Sequence, residues 1–144
     1  MTDTNISGDL EGRCLCGAVT ISARLPGPEL DACHCDMCRR WGGIAFLSTR
    51  SVTDPVFTGA EHIKRFVSSD WAERGFCREC GTHLFYFHRP RGTYSFPVGL
   101  FDVPQAIMAE EIFIDEKPDY YAFAADTEKL TGAEVRAKFT DDHG

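Results

Sequence analysis

The seven cysteines of this chain fall into three short-spaced groups: Cys14 and Cys16; Cys33, Cys35 and Cys38; Cys77 and Cys80. Thiolates at such spacings suit a soft tetrahedral metal, and zinc is the first choice. Four thiolates close a zinc shell, whereas three leave a position at which chemistry can take place. Seven divides into four plus three, so the expectation is one structural zinc and one reactive zinc.

Cys77-Arg-Glu-Cys80-Gly81 has the form of a zinc knuckle. Two sulfurs on one zinc must stand about 3.8 Å apart, and a C-x-x-C turn brings them that close. Gly81 supplies the positive φ with which the chain leaves such a turn. Cys14-Leu-Cys16-Gly17 is the expected other half. In an extended segment, residues two apart share a face. Joining these halves closes a loop of about 60 residues and restrains the unfolded chain. Cys14, Cys16, Cys77 and Cys80 are therefore read as structural ligands. Cys33, Cys35 and Cys38 remain for the reactive zinc, whose open position could take water, hydroxide or a thiolate.

Rival ligand sets stay open at this point. His34 or His83 could close the second shell and make it inert. His34 should point away from the metal in an extended C-x-C, so His83 is the better candidate. A zinc ribbon of Cys35, Cys38, Cys77 and Cys80 would strand three cysteines. Iron–sulfur ligation is a further alternative. Disulfides fit poorly with an odd number of cysteines in a chain with no evident secretory signal.

The elements that must position these thiols are mostly strands. Val19, Ile21, Ala23 and Leu25 alternate with polar residues, the period of a half-buried strand. Residues 30–33 and 44–48 read as further strands, with weaker candidates at 56–57 and 63–67. Residues 82–88 form an aromatic strand; 89–92 turn, 93–101 return, and 111–115 add another strand. Only the tail reads as helical, with Thr131 and Glu134 in a capping box. The fold class is mainly β with a short C-terminal helix, taken as one domain over residues 1–144.

The formal charge is −7, and the thiolates more than offset the charge of bound zinc. No broad positive field invites nucleic acid or an anionic membrane. Residues 1–10 are polar and unlike a secretory signal. No apolar run approaches the roughly 20 residues needed to span a bilayer. A reducing, cytoplasmic setting is expected.

The stretches GRCLCG (12–17), CHCDMCRRWGG (33–43) and FCRECGTHL (76–84), in this order, resemble the glutathione-dependent formaldehyde-activating enzymes, a family that includes centromere protein V. VGLFD (98–102) and EIFIDEKPDY (111–120) resemble its later segments, so the likeness covers residues 12–123. The resemblance implies a β-tent of coiled antiparallel sheets. It also implies the same division of zinc ligands, with Cys33, Cys35 and Cys38 catalytic. The implied reaction is the reversible joining of formaldehyde and glutathione to S-hydroxymethylglutathione, a carbon–sulfur lyase or synthase step. Two positions depart from the family pattern: Glu111 stands where His is common, and Tyr120 where Trp is common.

Around the reactive site, Arg39 is a candidate fork for a glutathione carboxylate, and Trp41 a candidate pocket wall. The plain alternatives are a surface ion pair and core packing. Asp36 and His83 are candidate outer groups that orient ligands or move protons. A non-catalytic zinc scaffold or thiol-binding module is the alternative function. A methionine sulfoxide reductase would need a cysteine away from metal, and all seven are committed.

Overall fold

The structure, a computed structural model, describes residues 9–143, with side chains described through Lys138. In chain order the elements are β1 (Leu10–Arg13), β2 (Thr20–Ala23), β3 (Glu29–Cys33), α1 (Asp36–Gly42), β4 (Phe46–Thr49), β5 (Val56–Thr58), β6 (Ile63–Ser69), β7 (Ala72–Cys77), β8 (His83–His88), β9 (Thr93–Ser95), β10 (Ile107–Ile112), β11 (Glu128–Leu130) and α2 (Gly132–His143). The fold is mainly β, with several sheets and two helices. The described residues form two compact units, 9–28 with 48–106, and 29–47 with 107–143. Among the described residues no helix is long and apolar enough to cross a membrane.

The first unit holds two antiparallel sheets, ordered β1-β2-β5 and β6-β7-β8-β9. The alternation read around β2 is realised: Val19, Ile21, Ala23 and Leu25 are all buried. They join Leu84, Phe85, Phe96 and Phe101 in one apolar core that also contains Cys14 and Cys77. Placing metal-ligand candidates inside this core ties their backbone to the most constrained part of the unit. Aromatic rings extend the packing, with Phe57, Phe85, Tyr94 and Phe96 meeting at centroid distances of 5.1 to 6.4 Å. β7 was missed because Gly75 interrupts its pattern. The register shifts between Gly75 and Phe76, and adjacent Leu84 and Phe85 on β8 are both buried.

The second unit is built on the sheet ordered β11-β10-β3-β4. The resemblance implies antiparallel sheets, but here β10 runs parallel to both β3 and β11. Parallel neighbours need a crossover of a dozen or more residues, and residues 113–127 provide one between β10 and β11. The strand expected over residues 111–115 stops at Ile112. Phe113 takes a left-handed φ of 55° and starts a 3-10 turn at Ile114–Glu116. Its ring then packs where a Gly132 side chain would stand. The capping box at α2 is formed: the Glu134 N–H donates to Thr131 Oγ1 at 3.2 Å, and the Thr131 N–H to Glu134 Oε1 at 2.8 Å.

The expectation that only the tail is helical is corrected by α1. Seven residues carry little periodic signal, and the cap is an unusual one. Cys35 sits at the N-cap, its Sγ accepting the Cys38 N–H. Asp36 opens the helix while Arg39 and Arg40 close it, as the helix dipole favours.

Candidate metal centres

Cys14, Cys16, Cys77 and Cys80 form one group in the first unit, with all sulfurs within 4.8 Å of one another. The segment Cys14-Leu15-Cys16 was expected to be extended, but it turns. The Gly17 N–H donates to the Cys14 carbonyl at 3.1 Å, and the Leu15 N–H to Thr82 Oγ1 at 3.1 Å. This turn leaves the Cys14 and Cys16 sulfurs 3.6 Å apart. The knuckle repeats the device, with the Gly81 N–H on the Cys77 carbonyl at 2.7 Å. Gly17 and Gly81 leave their turns at φ 82° and 79°, a region that disfavours other residues. Cys16 and Cys77 stand 3.8 Å apart, sulfur to sulfur. These separations match the edge of a zinc–thiolate tetrahedron, about 3.8 Å.

The electrostatics of the group also call for a cation. Hydrogen bonds from Thr82 Oγ1 and the Thr82 backbone push Cys80 down to about 5. At Cys16 the Ala18 N–H favours the thiolate, but burial and the neighbouring sulfurs prevail and push it up to about 12. Sulfurs this close cannot all carry charge without a positive ion among them. A cleft of about 520 Å³ opens beside the group, lined by Glu11, Arg13, Cys14, Thr82, Leu100 and Asp102 among others. Arg13 turns back there onto the Cys14 and Leu15 carbonyls, at 3.3 and 3.4 Å.

Cys33, Cys35 and Cys38 form the second group, again within 4.8 Å of one another. Cys33 ends β3, Cys35 caps α1, and Cys38 lies in the first turn of that helix. A strand running directly into a helix thus converges three sulfurs from six residues. Cys35 and Cys38 are buried. The Cys33 thiol is pushed far up by hydrogen bonding to the Cys35 and Cys38 thiols, and then by burial. A soft cation would relieve that crowding, so the donor set fits zinc as well as the first group does.

His34, between two of these thiols, is fully buried and faces other partners. Its Nε2 donates to Glu111 Oε1 at 2.8 Å, and its Nδ1 accepts from the Tyr121 hydroxyl at 2.8 Å. The direction follows from the neighbours. Burial pushes the Glu111 carboxyl up, but hydrogen bonds from Thr127 and His34 outweigh it, and the net shift is down. An ionised carboxylate can only accept. The Tyr121 phenol is pushed up by burial, against the pull of the Arg39 charge, and with the proton of the neutral ring on Nε2, Nδ1 is left to accept from the Tyr121 hydroxyl. The other Glu111 oxygen accepts from Thr127 Oγ1 at 2.5 Å, and Lys129 donates to that hydroxyl at 3.0 Å.

The remaining candidates divide between the units. Arg39 lies on α1 with the second thiol group. Its Nε donates to the His34 carbonyl at 2.9 Å, and its Nη2 lies 3.9 Å from Asp36. Asp36 pairs with Arg40 at 3.2 Å, while its backbone N–H donates to Glu116. Trp41 packs its edge on Phe46 at 5.7 Å. His83 belongs to the first unit, on β8, where burial and then the Arg74 charge hold its imidazole below its ordinary value. Sequence reasoning noted Glu111 only as a departure and gave Tyr121 and Thr127 no role. Their one signal was an acidic residue directly before the apolar run Ile112-Phe113-Ile114.

A family model described as glutathione-dependent formaldehyde-activating enzyme matches residues 9–116. A Schizosaccharomyces pombe protein named as an uncharacterized lyase is 35% identical over 129 residues, covering 88% of this chain and 94% of that one. A solved Rhodobacter sphaeroides protein, 28% identical, superposes with a TM-score of 0.55 over 62% of this chain and 85% of that chain. The three cysteine motifs lie in the matched region in their expected order, and the chain belongs to the glutathione-dependent formaldehyde-activating enzyme family.

Proposed function

We propose that this protein is a carbon–sulfur lyase or synthase acting on a thiol–aldehyde adduct such as S-hydroxymethylglutathione, with a structural zinc at Cys14, Cys16, Cys77 and Cys80 and a reactive zinc at Cys33, Cys35 and Cys38. The observation that carries this reading is the second group itself: three converging sulfurs, one fewer than closes a zinc shell. Family membership and the lyase-named relative support the reaction class. When bound, zinc would supply an electrophilic centre with one exchangeable position.

The chain's own groups supply binding and order. Arg39 already gives its Nε to the His34 carbonyl, and its remaining guanidinium N–H groups offer a fork for a substrate carboxylate. Trp41 walls the substrate. Asp36 orients Arg39 and Arg40 through its ion pairs. His83 stays a candidate proton carrier, its imidazole held below its ordinary value by burial and then by the Arg74 charge.

Exchange-resolved NMR of a glutathione–formaldehyde mixture tests the reading, with the unaided rate measured alongside. Exchange faster than the unaided rate, and lost in Cys35→Ser, is the expected result. No acceleration by the zinc-loaded protein would reject this substrate pair and favour a thiol-binding or scaffold module.

A further inference from the structure

The buried groups around His34 take on a role if, as proposed above, Cys33, Cys35 and Cys38 form a metal site. We propose that Glu111 is a positioning residue for that site, acting through His34 to fix the arc that carries Cys33 and Cys35.

All the polar groups of His34 are engaged. Its N–H donates to the Ile112 carbonyl at 3.0 Å, and its carbonyl accepts from Arg39 Nε at 2.9 Å. Its two ring nitrogens meet Glu111 and Tyr121, both at 2.8 Å. Consecutive residues of β10 therefore grip it twice, Ile112 by the backbone and Glu111 by the carboxylate. Parallel register sets Ala32 beside Glu111 and Cys33 beside Ile112, so the grip acts at the end of β3 where the first thiol sits. The imidazole stacks on Tyr121 at 5.6 Å, which fixes the ring plane as well.

The carboxylate is itself held. Thr127 Oγ1 donates to its second oxygen, and Lys129 stands 3.8 Å away. A buried carboxylate is costly unless paired and hydrogen-bonded, and apolar packing would often serve stability as well. Here it sets one tautomer and one ring orientation for the residue between two thiols. That is the task groups behind a metal's ligands perform, and their loss typically weakens metal binding about 10- to 100-fold.

Cobalt(II) titration of the full-length protein tests the inference. The absorption of wild type minus Cys35→Ser isolates the three-thiolate site. The expected result for Glu111→Gln is a retained circular dichroism spectrum and retained four-thiolate bands. Affinity at the second site should fall on the order of tenfold or more, with shifted ligand-field bands at saturation. Thr127→Val, which removes only a donor to the same carboxylate, should move the bands in the same direction by less. A purely structural role would lower stability and leave the saturated spectrum unchanged. Unshifted bands with unchanged affinity in Glu111→Gln would overturn the inference alone. If Glu111→Gln fails to fold, the Thr127→Val spectrum decides, and unshifted bands there overturn it. Wild type that binds no more cobalt than Cys35→Ser would overturn the metal reading, and this inference with it.

Discussion

The Cys38 backbone N–H donates to the Sγ of Cys35 at 3.4 Å, so one candidate ligand caps the helix that carries another. Serine can reproduce the cap but is a poor zinc ligand, and alanine can do neither. Cys35→Ser and Cys35→Ala should therefore lose the same metal and all activity yet differ in stability. The difference should be about 1 kcal/mol in favour of serine, the usual value of an N-cap side chain. Metal analysis with urea unfolding of both variants provides the comparison. Equal stabilities would mean that a side-chain acceptor at position 35 contributes nothing as a cap.

Cys80→Ser should act on the fold rather than the reaction. A structural zinc contributes about 10–16 kcal/mol in small zinc-binding peptides. That rivals the whole stability of an ordinary domain, about 5–15 kcal/mol. The expected outcome is loss of cooperative thermal unfolding by circular dichroism, with loss of both activity and soluble yield. A well-folded Cys80→Ser protein with near-native melting would remove the structural role from the four-thiolate group.

Legibility in the sequence followed how local each signal is. The β2 alternation and the Thr131–Glu134 capping box depend on neighbours in the chain, and both are realised. Within each short motif the cysteine sulfurs lie together, as their spacing implies, since a pair within a turn is a local matter too. The extended form expected for Cys14-Leu15-Cys16 failed because its turn is fixed partly from a distance, by Thr82. α1 was hidden because its cap is a thiol and its length is seven residues. The His34–Glu111 pair spans 77 residues of sequence and joins β10 to the residue that follows the parallel strand β3. No periodicity within either segment encodes such a pairing.

Gly75 on β7 faces Phe85 on β8 across the sheet. A Cβ placed on Gly75 would stand 2.2 Å from Cζ of that ring. Phe85 is fully buried in the core of the first unit. Gly75→Ala should cost at least about 1–3 kcal/mol, the usual range for overpacking. Urea midpoints of the metal-loaded proteins measure it. A neutral result would mean that the ring and strand separate more readily than their packing implies.

Glu111 gives stability a pH dependence whose sign can be worked out. Burial would raise its carboxyl, but hydrogen bonds from Thr127 and His34, with the Lys129 charge, outweigh it and hold the carboxyl below the ordinary value of 4.5. The folded protein thus binds that proton more weakly than the unfolded chain does. Its contribution is fully present above the unfolded value and is lost as pH falls through the folded one. Replacing Glu111 by Gln removes the titration, so the acid limb of the stability profile should flatten. The comparison is best made in a Cys35→Ser background, where the second metal cannot confuse the slope. Unfolding free energies from about pH 6 to about pH 3 should then converge for the two proteins as pH falls, with the Glu111 form losing stability more steeply. Parallel profiles would show that this carboxylate binds its proton equally well in both states, and that the pair with His34 does not favour its charged form.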